Sequence, residues 1–149
     1  MTKEEKDLLF KDLAPRLPYG VKVHIPFLNH VETLIGLDII DGEIRINGYI
    51  CDIRPYLRPM SSMTEEEKNE LLELVVGKEG MKYFNVSDNG TIDGNDSAEQ
   101  DLRNFNFHWI NFDCVNTSTY IDWLNAQHFD YKGLIEKGLA LEAPEGMYQ

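Results

Sequence analysis

The clearest pattern of apolar and polar residues lies between Val31 and Cys51, VETLIGLDIIDGEIRINGYIC. Apolar side chains alternate with polar ones on both sides of Asp41-Gly42, as in strands with one buried face. Asp-Gly is a strong signal for a two-residue type I′ turn, because both central residues of that turn need positive φ. The segment 31–51 therefore predicts a β-hairpin.

A two-residue loop fixes the pairing of the two strands and places alternate residues on one face. That face then carries four pairs, which are Ile39–Ile44, Leu37–Ile46, Ile35–Gly48 and Thr33–Ile50. We expect this face to lie on the core side, because the opposite face mixes apolar with charged side chains. On the opposite face Asp38 lies across from Arg45, and we interpret the two as a cross-strand ion pair instead of a catalytic pair.

Three segments have the pattern of a helix. The spacing Thr-x-x-Glu of a capping box occurs at 2–5 and again at 64–67. The first capping box predicts a helix over 2–13, and the second predicts a helix that ends at Gly77. Apolar and aromatic residues over 119–127 predict a third, short helix.

Strand patterns also occur outside the hairpin. Alternation over 21–25 predicts a short strand that Pro26 ends. The segment 53–59 contains two Arg-Pro dipeptides, and the residue before a proline avoids helical backbone, so we expect an extended connector. The aromatic segment 102–115 alternates in a way that favours a strand, and 131–137 is expected to form a turn or a short helix.

These elements predict an α+β fold, with an antiparallel sheet built around the 31–51 hairpin and short helices packed on one face. We expect a single domain over 1–149, because 149 residues with 42% hydrophobic content suffice for a core without disulfides or metal ions. The run 87–100 is rich in Asp, Asn, Gly and Ser and has no lysine or arginine. This composition predicts a flexible polar loop.

The charge of the chain limits its partners. Twenty-six acidic against fourteen basic residues give a net charge of −12, which disfavours direct binding to nucleic acid or to an anionic membrane. An acidic surface can instead imitate DNA and occupy a nucleic-acid-binding protein. The simpler interpretation, that the acidity keeps a small protein soluble, is favoured.

The first residues, MTKEEKDLLFKDL, are charged and amphipathic and lack the apolar stretch of a signal peptide. No segment approaches the length of an apolar transmembrane helix. We therefore expect a cytoplasmic location in the host cell, with Cys51 and Cys114 as free thiols.

Two sets of residues are candidates for a metal site. Oxygen-bearing side chains alternate over 93–101 as in a calcium loop, but Ala98 replaces the glycine of the turn and Asn104 replaces the closing glutamate. The four histidines and two cysteines lack the short spacings of a zinc site. We therefore predict no metal and no cofactor, and the alternative of a cation on the 88–101 acidic loop stays open.

No motif for phosphate, dinucleotide, acyl or peptide chemistry occurs in the sequence. Carboxylates such as Asp113, Asp122 and Asp130 leave open a small hydrolase that uses acids with or without a divalent metal. That alternative predicts several acids in one cleft with raised pKa values. A virion structural component is a further alternative, although no repeat or coiled-coil pattern supports it.

Two segments are candidates for contact with a protein partner, since arginine and aromatic residues are common interface anchors. The candidate residues are Arg54, Tyr56, Arg58, Trp123, His128, Phe129 and Tyr131. For both segments, the favoured alternative to partner binding is that these residues stabilise the fold of this protein itself. In it the arginines pair with this protein's own carboxylates, and the aromatic residues pack the C-terminal segment on the sheet.

The stretches PYLRPMSSMTEEEK (Pro55 to Lys68) and YIDWLNAQHFDYKGLIEKGLALEAPEGMY (Tyr120 to Tyr148) resemble short proteins of gut bacteria and their phages or integrated mobile elements. That family has no assigned activity, so no functional residues carry over from it. The resemblance implies a genomic setting. With the acidity and the missing catalytic motifs, it favours a non-enzymatic protein that binds a host or phage protein.

Overall fold

The structure, a computed structural model, describes residues 1–50, 52–94 and 117–148. Within these ranges it confirms the α+β class, with three α-helices and eight strands in mainly antiparallel sheets. The chain divides into two compact units, Met1–Pro59 with Leu124–Gln149 and Met60–Trp123. That the chain forms a single domain stays a prediction. The strand predicted over 102–115 and the two cysteines lie outside the described residues.

The first unit begins with helix α1, Lys3–Leu13. Its predicted capping box is confirmed, because the Glu5 backbone N–H donates to Thr2 Oγ1 at 3.2 Å and the Thr2 N–H donates to the Glu5 carboxylate at 2.6 Å. The chain then tightens into a 3-10 helix, Ala14–Tyr19. Leu9 and Leu13 of α1 face the core of the unit.

A four-stranded sheet forms the centre of the first unit, in the order β2-β1-β5-β8. Its strands are β1 (Lys22–Ile25), β2 (His30–Thr33), β5 (Arg54–Leu57) and β8 (Leu141–Glu142). Strand β1 pairs antiparallel with β2 and with β5, whereas β8 joins β5 in parallel. The predicted strand over 21–25 is confirmed, and the predicted connector 53–59 contains a strand of the sheet. The buried residues of the sheet belong to the apolar core of the first unit. This core includes Val21, Val23, Ile25, Ile53, Leu57, Leu134 and Leu139.

Strands β3 (Leu37–Ile40) and β4 (Glu43–Ile46) form the predicted hairpin as a separate two-stranded sheet. Asp41 and Gly42 have φ of 53° and 79°, as a type I′ turn requires. The predicted pairs Ile39–Ile44 and Leu37–Ile46 are confirmed. Asp38 lies opposite Arg45, but the described contacts include no ion pair between them.

The pairing predicted beyond β3 and β4 is wrong. Ile35–Gly48 and Thr33–Ile50 do not pair, because Asn47-Gly48 makes a second tight turn that brings Ile46 and Tyr49 together as a bridge. Thr33 pairs with β1 instead.

The Asn47 side chain holds the segment between β2 and β3. Its amide oxygen accepts the N–H groups of Ile35 and Gly36 at 2.8 and 3.2 Å, and its amide nitrogen donates to the Thr33 carbonyl at 2.8 Å. The break in the strand reverses the faces, so that Leu34 is buried while Ile35 is 78% exposed. The predicted core face is confirmed for Ile46, which is buried, and for Leu37 and Ile44, which pack against the core, but Ile39 and Ile50 are exposed.

Replacing Gly42 by alanine is expected to lower the free energy of unfolding by about 1 kcal/mol, because a residue with a Cβ is disfavoured at positive φ. Gly36→Ala is a matched control. An added Cβ meets nothing within 4 Å at either position, and Gly36 does not have positive φ. Urea denaturation measures the free energy of unfolding of both variants. If both lose the same amount, the positive φ of the turn is not the cause.

The second unit contains helix α2, Glu65–Gly80, with the predicted capping box at Thr64 and Glu67 confirmed. The helix breaks at Gly77, the predicted end, where φ is 73°, and one more turn follows. Strands β6 (Phe84–Val86) and β7 (Ile92–Gly94) form a short hairpin, in which β6 ends just before the predicted polar loop 87–100 and β7 lies inside it. Residues 95–100 of that loop lie outside the described residues.

Helix α3, Thr117–Ala126, confirms the third predicted helix. The segment 131–137 forms turns, as one of the two expected alternatives. In the described ranges, no helix combines the length and the apolar character that crossing a bilayer would require.

Candidate functional site: an apolar surface and a buried polar cluster

The predicted partner-binding residues of the connector lie on and after β5. Arg54 is exposed and lines a cleft of about 280 Å³, whose other charged groups include Glu5, Asp52 and Lys137. Tyr56 is half-buried, with its ring 6.4 Å from that of His24. Arg58 is half-buried and lies over the Phe129 ring at 4.2 Å. Arg54 is therefore separate from the aromatic residues that Arg58 contacts.

The C-terminal candidates are packed against the end of β5. The Arg58 N–H donates to the His128 carbonyl, and the Asp130 N–H donates to the Arg58 carbonyl, both at 2.8 Å. His128 and Phe129 are buried and Tyr131 is half-buried, whereas Trp123 belongs to the second unit. The burial agrees with the packing alternative. A role of the seven residues in partner binding stays a prediction.

His128 ends helix α3 in a conformation that usually favours glycine. The Phe129 N–H donates to the Leu124 carbonyl at 2.9 Å and the His128 N–H to the Asn125 carbonyl at 3.2 Å, which is a Schellman motif. His128 has φ of 63° at the position where glycine is common. A side chain there costs about 1 kcal/mol relative to glycine. Its ring stacks on Tyr148, with centroids 3.8 Å apart.

The environment keeps His128 and Tyr148 neutral. Burial, followed by the charges of Arg16, Arg58 and Lys22, lowers the pKa of His128 to about 4. Burial raises the pKa of Tyr148 to about 12. The Tyr148 hydroxyl donates to the Tyr56 carbonyl at 2.7 Å and accepts the Lys22 N–H at 2.8 Å. Tyr148 thereby joins the C-terminal segment to two strands.

A fully buried ion pair lies beside these aromatic residues and was not predicted. Arg16 donates to the Asp12 carboxylate at 2.9 and 3.2 Å and to the Phe129 carbonyl at 2.8 Å. The Lys132 ammonium lies 3.7 Å from the same carboxylate. The i, i+4 spacing of Asp12 and Arg16 was the available signal, but Pro15 between them indicated a helix end.

Several buried polar atoms in this region have no hydrogen-bond partner among residues 1–50, 52–94 and 117–148. They are both amide atoms of Asn125, Nδ1 of His128 and Nη1 of Arg16. Asp12, Arg16 and Asn125 are fully buried, and His128 is 8% exposed. We call Asp12, Arg16, Asn125 and His128 the buried polar cluster. Because a substrate has no access to fully buried groups, the cluster supports packing of the C-terminal segment better than catalysis.

A different part of the first unit exposes apolar side chains. Phe27 is 62% exposed, Ile35 78% and Ile39 57%. The Phe27 ring meets the Tyr49 ring edge-on at 5.4 Å, which connects the turn after β1 to the segment after β4. The exposed apolar residues of the segment 27–50 are Phe27, Leu28, Val31, Ile35, Ile39, Ile40 and Ile50. We call this set the apolar surface; within it, the neighbours Ile39 and Ile40 lie on opposite faces of β3. Single exposed apolar residues are ordinary, whereas a concentration of them marks an interaction site.

Acidic residues are frequent in the hairpin. The hairpin carries Asp38, Asp41 and Glu43 against the single basic residue Arg45. Glu43 faces the Lys6 ammonium at 3.6 Å. The hairpin that carries Ile39 and Ile40 therefore has more acidic than basic residues.

Among residues 1–50, 52–94 and 117–148, no group of three or more His, Cys, Asp or Glu side chains is placed to hold a metal ion. Most of the 93–101 segment and His108 lie outside these ranges. Hydrogen bonds from Asn47 and then His30 lower the pKa of Glu32, the opposite of what a general acid needs. Comparisons with protein families, with curated proteins and with solved structures find no match, so they assign this chain to no family.

Proposed function

We propose that this chain is a non-enzymatic acidic protein of phage or mobile-element origin that binds a host or phage protein in the cytoplasm of the host cell. The observation that carries the proposal is the apolar surface between Phe27 and Ile50 of the first unit. Burying an isoleucine side chain completely is worth about 1.5–3 kcal/mol. Ile35 and Ile39 together therefore supply the central contacts that a specific interface needs.

The charge distribution supports a partner with basic residues around an apolar centre. The net charge of −12 and the three acids of the hairpin attract such a partner and repel nucleic acid. Attraction of this kind speeds association and weakens as salt screens it. We therefore expect complex formation to be faster at low than at high ionic strength.

The test is a tagged pull-down from host lysate, followed by reconstitution with each stoichiometric partner that is identified. The double variant Ile35→Ser, Ile39→Ser should weaken the reconstituted complex by at least about tenfold. Leu74→Ser is the matched control, because Leu74 is 51% exposed on α2, away from the apolar surface in sequence. An equal affinity of the double variant and the control, with both proteins folded, would contradict binding through this surface.

A further inference from the structure

We propose that the outer edge of β3 binds an extended strand of the partner in which aliphatic residues alternate with lysine or arginine. This inference rests on the proposed function and specifies how the partner is held. Within the described residues β3 pairs with β4 alone. No described strand pairs with the other edge of β3, the edge at which strand addition, a common mode of peptide recognition, would occur.

The hairpin geometry determines which backbone groups face that edge. In a two-residue hairpin the pair next to the turn, Ile40 and Glu43, exchanges both backbone hydrogen bonds. Because bonded and non-bonded pairs alternate, Asp38 also bonds to β4, whereas Leu37 and Ile39 direct their N–H and C=O groups away from it. Two donors and two acceptors are thus placed for an incoming strand.

The side chains along β3 define the residue types that fit. Ile39 is 57% exposed on one face, and Asp38 and Ile40 are exposed on the other. Asp38 forms no ion pair with the Arg45 that it faces across the hairpin, so its carboxylate is open to a cation from the new strand. An aliphatic residue beside Ile39 and a basic residue beside Asp38 would satisfy both faces.

Charge argues against a second copy of this chain as the occupant. If two β3 strands paired antiparallel through both edge residues of each copy, Asp38 would lie directly opposite its own equivalent. Like charges in that position are destabilising. Two chains that each carry a net charge of −12 also repel one another at longer range. A basic strand from another protein meets neither obstacle.

The test measures amide hydrogen exchange by NMR while the whole protein is titrated with the capped peptide Lys-Val-Lys-Val-Arg-Val-Lys. Exchange at Leu37 and Ile39 should slow by about tenfold at about 1 mM peptide, whereas Asp38 and Ile40, already bonded to β4, should change less. A peptide with glutamate in place of every basic residue is the control and should give no protection. The inference is overturned if no protection appears at these two amides, or if it appears without peptide in a concentration-dependent dimer.

A protein variant separates this inference from the proposed function. Ile39→Pro removes the outward N–H without removing a hydrogen bond to β4, and proline is accepted at sheet edges. Ile39→Val keeps that donor. One outcome would be that Ile39→Pro and Ile39→Val bind the partner with equal affinity, while the double variant Ile35→Ser, Ile39→Ser does not bind it. The apolar surface would then bind the partner without strand addition. The proposed function then stands while the inference fails.

Discussion

Replacing Asp12 by alanine is expected to lower the free energy of unfolding by about 3–5 kcal/mol, the largest effect of any substitution considered for this protein. The carboxylate accepts two hydrogen bonds from Arg16, and both side chains are fully buried. Its loss leaves a guanidinium charge in the core, with the ammonium of Lys132 also deprived of a carboxylate at 3.7 Å. Urea denaturation at neutral pH measures the change.

A double variant shows whether the loss of stability comes from the unpaired charge of Arg16 or from lost packing. Asp12→Ala combined with Arg16→Met removes both charges, and much of the lost stability should return. Asp7→Ala, at an exposed acid of the same helix, is the surface control and should change the free energy of unfolding by less than about 0.5 kcal/mol. If the double variant is less stable than Asp12→Ala, the ion pair is not the source of the effect.

The second large effect is a loss of stability in mild acid that depends on His128. Its pKa falls from the ordinary 6.5 to about 4 in the folded protein. As the pH falls below 6.5, the unfolded chain therefore takes up a proton that the folded chain does not, and folding becomes less favourable. The penalty should reach about 2 kcal/mol at pH 5 and about 3 kcal/mol below pH 4.

The measurement compares wild type with His128→Asn by urea denaturation at pH 7.5 and pH 5. Asparagine tolerates positive φ and does not titrate. The two proteins therefore have the same titratable groups except the imidazole of His128. Wild type should lose about 2 kcal/mol more than the variant between the two pH values. The same loss in both would show that the imidazole titrates near its ordinary pKa.

Local signals predicted the starts of α1 and α2 and the first turn correctly. A capping box depends on two residues three positions apart, and a type I′ turn depends on two neighbouring residues that accept positive φ, so both can be recognised without the tertiary fold. The error in the hairpin has a local cause too. Asn47-Gly48 is the same kind of turn signal as Asp41-Gly42, and it limits the paired segment to β3 and β4.

The buried polar cluster could not be predicted in the same way. Arg16 reaches the Phe129 carbonyl, and Tyr148 reaches the Tyr56 carbonyl, so the contacts join residues that are far apart in sequence. His128 takes the place of a helix-ending glycine, and no local pattern predicts that exchange. The exposure of Ile35 likewise follows from the break after β2, which a strict alternation of faces does not anticipate.

The parallel pairing of β5 with β8 has a consequence for the order in which the chain acquires its structure during synthesis. Tyr56 of β5 cannot pair with Leu141 of β8 until Leu141 has been synthesised. The residues between them include all of the second unit. While a ribosome is still adding those residues, β5 has only β1 beside it, and the apolar side chains that Leu134 and Leu139 will cover are open to water. The second unit is continuous in sequence and meets no such delay. The nascent first unit is therefore the part of this protein most in need of a chaperone before residue 148 emerges.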